Sequence, residues 1–298
     1  MAETSRPFAR WAGRIAKLVV GLVALSALAI FGFLYWQASE KPVTDGQYVA
    51  LGSSFAAGIG LGPRAPASPV QCFRSTGGYP ALVAQRTGLR LVDMSCSGST
   101  TEHILHGGQM LLGPQLAAIG PQARLVTITS GGNDIGYVGD LMAASGSMGP
   151  LAGWANGPIK SAADRPYAKV AANLEQIVRQ VRKRAPKARI VIVSYPALMP
   201  REGNCAATGV SNAQADISRS VAARLVAVTR NAAAASDVAF VDMDALSVGH
   251  DICSGSPWVN GAAPGTGTAF HPNAAGVAAT AAQVDADYRN AMVETEQP

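Results

Sequence analysis

Residues 47–58 read Gln47-Tyr48-Val49-Ala50-Leu51-Gly52-Ser53-Ser54-Phe55-Ala56-Ala57-Gly58. An uncharged, largely apolar run of strand length passes directly into a loop of small residues, with two serines where the chain leaves the run. A continuous run of this kind suits a strand covered on both faces, the setting of a parallel sheet. After Gln47–Leu51, four further runs share its character: Leu89–Asp93, Arg124–Thr129, Arg189–Ser194 and Val238–Val241.

Segments of helical period separate these runs. Val170, Leu174, Ile177 and Val181 recur at steps of four and three, as do Ile217, Val221, Leu225 and Val228. Val277, Ala281, Val284 and Tyr288 form a third stripe just after Pro272, and Tyr79–Thr87 is a shorter helix closed by Gly88. Strand–helix alternation through five strands predicts one α/β domain, a doubly wound parallel sheet with helices on both faces. In such a sheet ligands bind at the carboxyl ends of the strands. Two Gly/Pro/Ala-rich stretches, Gly58–Pro69 and Gly139–Pro166, exceed ordinary connections and read as long surface loops.

The chain has 298 residues, 48% of them hydrophobic and only 14% charged, which fits a sizeable core and excludes a disordered protein. Its net charge of +5 divides into +2 over residues 1–40 and +3 over the remainder. No basic run interleaved with aromatics is present, and Arg182-Lys183-Arg184 closes a predicted helix, where cations favour the dipole. Nucleic acid is therefore not an expected partner.

The stretch between Lys17 and Glu40 carries no charge. Its most apolar part, Leu18–Trp36, would span about 28 Å as a helix, close to a bilayer core. Four basic residues precede it (Arg6, Arg10, Arg14, Lys17), and Tyr35-Trp36 stand where an interfacial aromatic pair belongs. The expected organisation is a basic cytoplasmic segment over 1–17, a transmembrane signal-anchor over 18–39, and a catalytic domain over 40–298 outside the cytoplasm. A cleaved signal peptide, with a weak site at Ala38-Ser39, and a buried soluble helix are the alternatives.

All four cysteines (Cys72, Cys96, Cys205, Cys253) follow that segment. An even number in an oxidising compartment predicts two disulfides, and three pairings are possible. The most local, Cys72–Cys96 with Cys205–Cys253, is favoured. No CxxC or HExxH spacing suggests a metal, and no cofactor motif is present.

Four segments near predicted strand ends carry chemistry. Ser54 leaves the first strand among small residues. Ser95-Cys96-Ser97-Gly98-Ser99 follows the second, and Ser130-Gly131-Gly132-Asn133-Asp134 the third. Ala269-Phe270-His271-Pro272-Asn273 precedes the last helix. A hydroxyl, an imidazole, a glycine that lets backbone approach a ligand, and a side-chain amide are the parts of an acyl-transfer site. His103, His106 and His250 read as packing or surface residues. Trp154 and Trp258 lie on loops, where lining a pocket and ordinary packing fit equally well.

The order and spacing of these blocks resemble the SGNH/GDSL hydrolase family, over roughly residues 47–290. The closing Cys253-Ser254-Gly255-Ser256-Pro257-Trp258 and His271-Pro272, with the cysteine spacing, resemble its disulfide-bridged actinobacterial lipase and phospholipase branch. The resemblance implies a flavodoxin-like three-layer sandwich and hydrolysis of carboxylic, acyl or lipid esters. It also implies Ser54 as nucleophile, His271 as general base and acid, and an oxyanion hole from the Ser54 and Gly98 amides and the Asn133 side chain. Envelope acyl transfer at the same site and a weakly active lipid- or glycan-binding module are the competing functions.

Two departures stand out. Where the family motif reads Gly-Asp-Ser-Leu, this chain has Gly52-Ser53-Ser54-Phe55, so two serines compete; alignment through Gly52 and Gly58 favours Ser54. The family's Asp three residues before the His is replaced by Thr268, whose hydroxyl cannot supply a negative charge to an imidazolium. A Ser–His dyad is therefore expected, its imidazole held by a backbone carbonyl at Thr268–Ala269.

Overall fold

The structure, a computed structural model, describes residues 6–149 and 159–296. It opens with helix α1 (Arg6–Ser39), followed by β1 (Tyr48–Gly52), α2 (Ser54–Ala57), α3 (Tyr79–Thr87), β2 (Leu91–Asp93) and α4 (Thr101–His106). Then come β3 (Leu125–Thr129), α5 (Tyr137–Ala144), α6 (Tyr167–Arg184), β4 (Arg189–Val193), α7 (Asn212–Ala235), β5 (Ala239–Val241), α8 (Met243–Leu246) and α9 (Ala274–Glu296). All five strands are parallel, in the order β2-β1-β3-β4-β5. This is the flavodoxin-like order, whose switch point lies between β1 and β3.

Successive side chains of a strand face opposite sides, and the two cores follow that alternation. Val49, Leu51, Val126, Ile128, Ile190 and Ile192 face α4, α6 and α7, with α5 lying on α7. Tyr48, Ala50, Leu125, Val191 and Val193 face α3 and α9. Every residue of β1 and β3 is buried, which is why both strands read as unbroken apolar runs. The buried hydroxyls of Tyr48 and Tyr79 pair with Thr127 (2.9 Å) and Thr129 (2.8 Å), so neither is left unsatisfied.

The structure corrects some boundaries. The second strand begins at Leu91 rather than Leu89, because it is an edge strand only half-buried. Residues 139–166 are not all loop: α5 occupies their beginning, with Tyr137, Val138 and Leu141 buried, while residues 150–158, including Trp154, lie outside those described. Ser54 is not in a loop but is the first residue of α2.

Helix α1 is exposed without interruption from Trp11 to Phe33. It is not a core helix of a soluble domain, and that alternative is excluded. One helix long and apolar enough to cross a membrane is present among the described residues, over Trp11–Ser39.

Both favoured disulfides form. Cys72–Cys96 closes a loop of 24 residues and Cys205–Cys253 one of 48. Loop-closure entropy in the unfolded chain makes these worth about 3.5 and about 4 kcal/mol. Replacing Cys205 and Cys253 by Ser should lower unfolding stability by about that larger amount. Urea denaturation beside the wild type, read as the fall in extrapolated unfolding free energy, checks it, with a steeper slope because the uncrosslinked unfolded chain exposes more surface.

Candidate active site

The carboxyl ends of three strands are laced together. A Cβ on Gly52 would come within 2.5 Å of the Thr129 carbonyl, so only glycine lets β1 end this close to β3. One residue on, Ser53 N–H donates to Thr129 O (3.0 Å), and Cys96 N–H from the β2 loop donates to Gly52 O (3.0 Å). Gln115 spans the same place: its Oε1 accepts from Gly52 N–H (2.8 Å), and its Nε2 donates to Gly52 O (3.0 Å) and Ser99 Oγ (2.9 Å). The Tyr195 hydroxyl, just beyond β4, bonds Ser53 Oγ (3.1 Å) and accepts from Gly132 N–H (3.1 Å).

Those contacts separate the two serines. Ser53 spends its hydroxyl on Tyr195. Ser54 Oγ instead stands 2.8 Å from His271 Nε2. The Nδ1 of that imidazole lies 2.8 Å from Ala269 O. A carbonyl only accepts, so Nδ1 carries the proton, and the Nε2 lone pair is left to accept from the Ser54 hydroxyl. Position 268 is not used: the Thr268 hydroxyl donates to Ile59 O (3.3 Å), away from the ring.

Local backbone explains how Ala269 O is presented. His271 N–H closes a turn onto Thr268 O, with Phe270 at φ 57° in its third position. A non-glycine residue there is strained and persists only when its surroundings hold it. Phe270 is fully buried, and Asn260 pairs on both sides, accepting from Phe270 N–H (3.1 Å) and donating to His271 O (2.9 Å). Phe55 packs between the His271 ring (centroids 5.0 Å) and Tyr195 (4.6 Å).

Burial dominates the electrostatics. His271 is 5% exposed, and desolvation pulls its pKa from 6.5 down to about 4, opposed in part by the Ala269 carbonyl. The ring is neutral at pH 7 without a carboxylate beside it.

Donors suited to an oxyanion lie on the same loops. Among the described residues, neither the Ser54 nor the Gly98 amide N–H has an acceptor. Asn133 Nδ2 gives one hydrogen to Ser99 O (2.8 Å), which fixes the amide and leaves its second hydrogen unspent. Asp134 turns away to the Thr101 N–H (3.0 Å) and hydroxyl at the start of α4, so it shapes the Asn133 loop. His103 accepts from Thr100 N–H in a capping box, His106 pairs with Glu102, and His250 stacks on Trp258 (4.2 Å). None of these three reaches the Ser54–His271 pair. No group of His, Cys, Asp or Glu among the described residues is arranged to hold a metal ion.

Tyr195 and Gln115 did not emerge from the sequence. Both act on backbone atoms far away in the chain, and such partnerships leave no spacing to read.

A serine hydroxyl bonded to a neutral imidazole, beside unspent amide donors at the switch point of a flavodoxin-like sheet, is the arrangement that acyl transfer through a serine requires. The chain belongs to the GDSL-like lipase/acylhydrolase family, whose model matches residues 50–279, and it is a carboxylic ester hydrolase. A lipase of Streptomyces rimosus is 34% identical over 266 residues, 88% of this chain and 94% of that protein. Lipase 2 of Streptomyces coelicolor is 32% identical, covering 88% of this chain and 92% of its own. The crystal structure of phospholipase A1 from Streptomyces albidoflavus matches at a TM-score of 0.65 and 27% identity, over 82% of this chain and 99% of that one.

The buried imidazole offers a pH test of a role for His271 as the base. A base must be deprotonated to accept the serine proton, so kcat/KM on an uncharged ester should stay flat from pH 8 down to about 5 and fall with an apparent pKa near 4. A pH–rate profile reads this directly. Tyr195→Phe should lower kcat roughly tenfold with KM little changed, because Ser53 and Gly132 lose a buried partner beside both catalytic loops. Steady-state kinetics separates the two constants.

Proposed function

We propose that this hydrolase works by an acyl-enzyme on Ser54 and that it acts outside the cytoplasm, held to the membrane by α1. The observation that carries the mechanism is the chain Ser54 Oγ–His271–Ala269 O, with 2.8 Å at each step. Ser54 attacks the ester carbonyl while Nε2 takes its proton. The oxyanion then receives hydrogen bonds from the Ser54 and Gly98 amides and Asn133 Nδ2. As the tetrahedral intermediate collapses, Nε2 returns the proton to the leaving alkoxide oxygen. Water attacks the acyl-enzyme by the same route in reverse, releasing the acid and restoring Ser54.

Throughout, Ala269 O holds the Nδ1 proton. It keeps the tautomer and orientation that a carboxylate would give, without that group's full charge on the imidazolium. Two disulfides and an exposed apolar helix preceded by basic residues support the extracytoplasmic side. The Streptomyces lipases and phospholipase A1 support lipid esters as the substrate class.

Fluorophosphonate should label wild type and Ser53→Ala, but not Ser54→Ala, whose hydrolysis of a short p-nitrophenyl ester should fall at least roughly a thousandfold. Labelling that survives Ser54→Ala refutes the assignment.

A further inference from the structure

Three large apolar side chains stand out on the β2 side of the domain. Phe73, Met110 and Leu111 are 62%, 53% and 47% exposed, and all three sit at positive φ (47°, 45° and 72°). This conformation is unfavourable for an L-residue. Burial of these side chains within the fold does not offset it.

The C-terminal end of α1 arrives at the same place. Gln37 Oε1 accepts from Val70 N–H (3.0 Å), three residues before Phe73, and α1 touches the turn Gln109–Leu111. Gln37 directly follows Tyr35-Trp36, an aromatic pair of the kind that sits at the headgroup level. Where α1 leaves a bilayer, residues 70–73 and 109–111 therefore lie at the membrane surface.

We propose that Phe73, Met110 and Leu111 form a docking surface for the outer face of the membrane that α1 spans, and that the substrate is an acyl ester of a lipid resident there. This rests on α1 remaining as an anchor and on Ser54 as the nucleophile. A bilayer, rather than a partner protein, is the occupant because the anchor holds this edge against the lipid surface and leaves no layer between them.

The docking surface is also joined to the catalytic loops. Phe73 follows Cys72, whose disulfide partner Cys96 lies two residues before Gly98; Ser97 N–H donates to Cys72 O (2.9 Å). Gln109, beside Met110, donates from Nε2 to Ser97 O (2.7 Å), and the same nitrogen would lie 3.3 Å from a Cβ at position 98. A lipid ester entering from this side meets the exposed Gly98. Between the anchor and this edge lies a cavity of about 660 Å³, walled by Gln37, Val43, Met94, Gln109 and Leu112. It is not the space over Ser54, and charged side chains, among them Glu40, Lys41, Arg74 and Asp93, also line it.

The test uses the full-length chain reconstituted in phosphatidylethanolamine–phosphatidylglycerol nanodiscs. A fluorophore on Met110→Cys should be quenched by nitroxide-labelled lipids. One on Val248→Cys, 60% exposed beyond the opposite edge strand, should not. The double substitution Met110→Ser with Leu111→Ser should slow hydrolysis of a bilayer-resident lipid ester roughly ten- to hundredfold, while a short soluble ester is turned over as by wild type. An unquenched probe at 110, or equal loss on both esters, overturns the proposal. Quenching that persists while Ser54→Ala still hydrolyses esters would instead sink the catalytic reading and leave the docking surface standing.

Discussion

The placement of β1 between β2 and β3 is the constraint on which the rest of the molecule depends. It makes β1 bonded on both edges and buried on both faces, so the chain leaves it at one fixed point. That point lies at the reversal of strand order, where neighbouring connections diverge and open a crevice. Ser53 and Ser54 emerge there, and the bond from Ser53 N–H to Thr129 O carries the β-ladder one residue beyond the strand. The position of Ser54 is thus an extension of the sheet's own hydrogen bonding and not the property of a free loop.

Around this origin the other parts are positioned by polar side chains that each join two of the loops at the strand ends. Gln115 links the β1 end to Ser99, Tyr195 links it to Gly132, and Asn133 returns to Ser99 O. Inside a low-dielectric interior such a network is costly if incomplete and rigid if complete. Rigidity is what an oxyanion site needs, because donors already aimed at the developing charge pay no reorganisation during reaction. The imidazole follows the same logic. Without a carboxylate, burial keeps it neutral, and one carbonyl decides which nitrogen can act as base.

Much of this was legible in the chain. Parallel strands covered on both faces read as continuous apolar runs, and β1 and β3 are the plainest because all their residues are buried. The half-buried β2 blurred at its start, where Leu89 is buried without belonging to the strand. Helix α5 was obscured by Gly136 and Gly139 and by its short length of eight residues; it forms because Tyr137, Val138 and Leu141 find a surface on α7 and its neighbours. Ser54, Gly98, Asn133 and His271 were legible through their order at strand ends. The carbonyl acceptor was legible only as a gap, since Thr268 stands where an acid was expected and a backbone oxygen has no letter of its own. Ser54 was favoured over Ser53 by alignment through Gly52 and Gly58, but what occupies the Ser53 hydroxyl, Tyr195 lying 142 residues away, leaves no mark in the sequence.

The docking geometry bears on how a bilayer would assist this chemistry. An enzyme switched on at an interface needs an element with two arrangements that the membrane biases. The Gly107–Gly113 segment is braced instead: Gln109 bonds Ser97 O, and Gly108 N–H donates to Leu112 O across the segment (2.8 Å). The Ser54–His271 bond and the loops around it are held by contacts within the protein itself, through Gln115, Tyr195 and Asn133. On the proposed anchoring, the contribution of the bilayer is proximity: an anchor shared by enzyme and substrate would confine both to one surface and raise the effective concentration of ester at the Gly98 side of the site. On this reasoning the membrane sets which esters are met, while the sheet and its buried polar links set how fast a bound ester reacts.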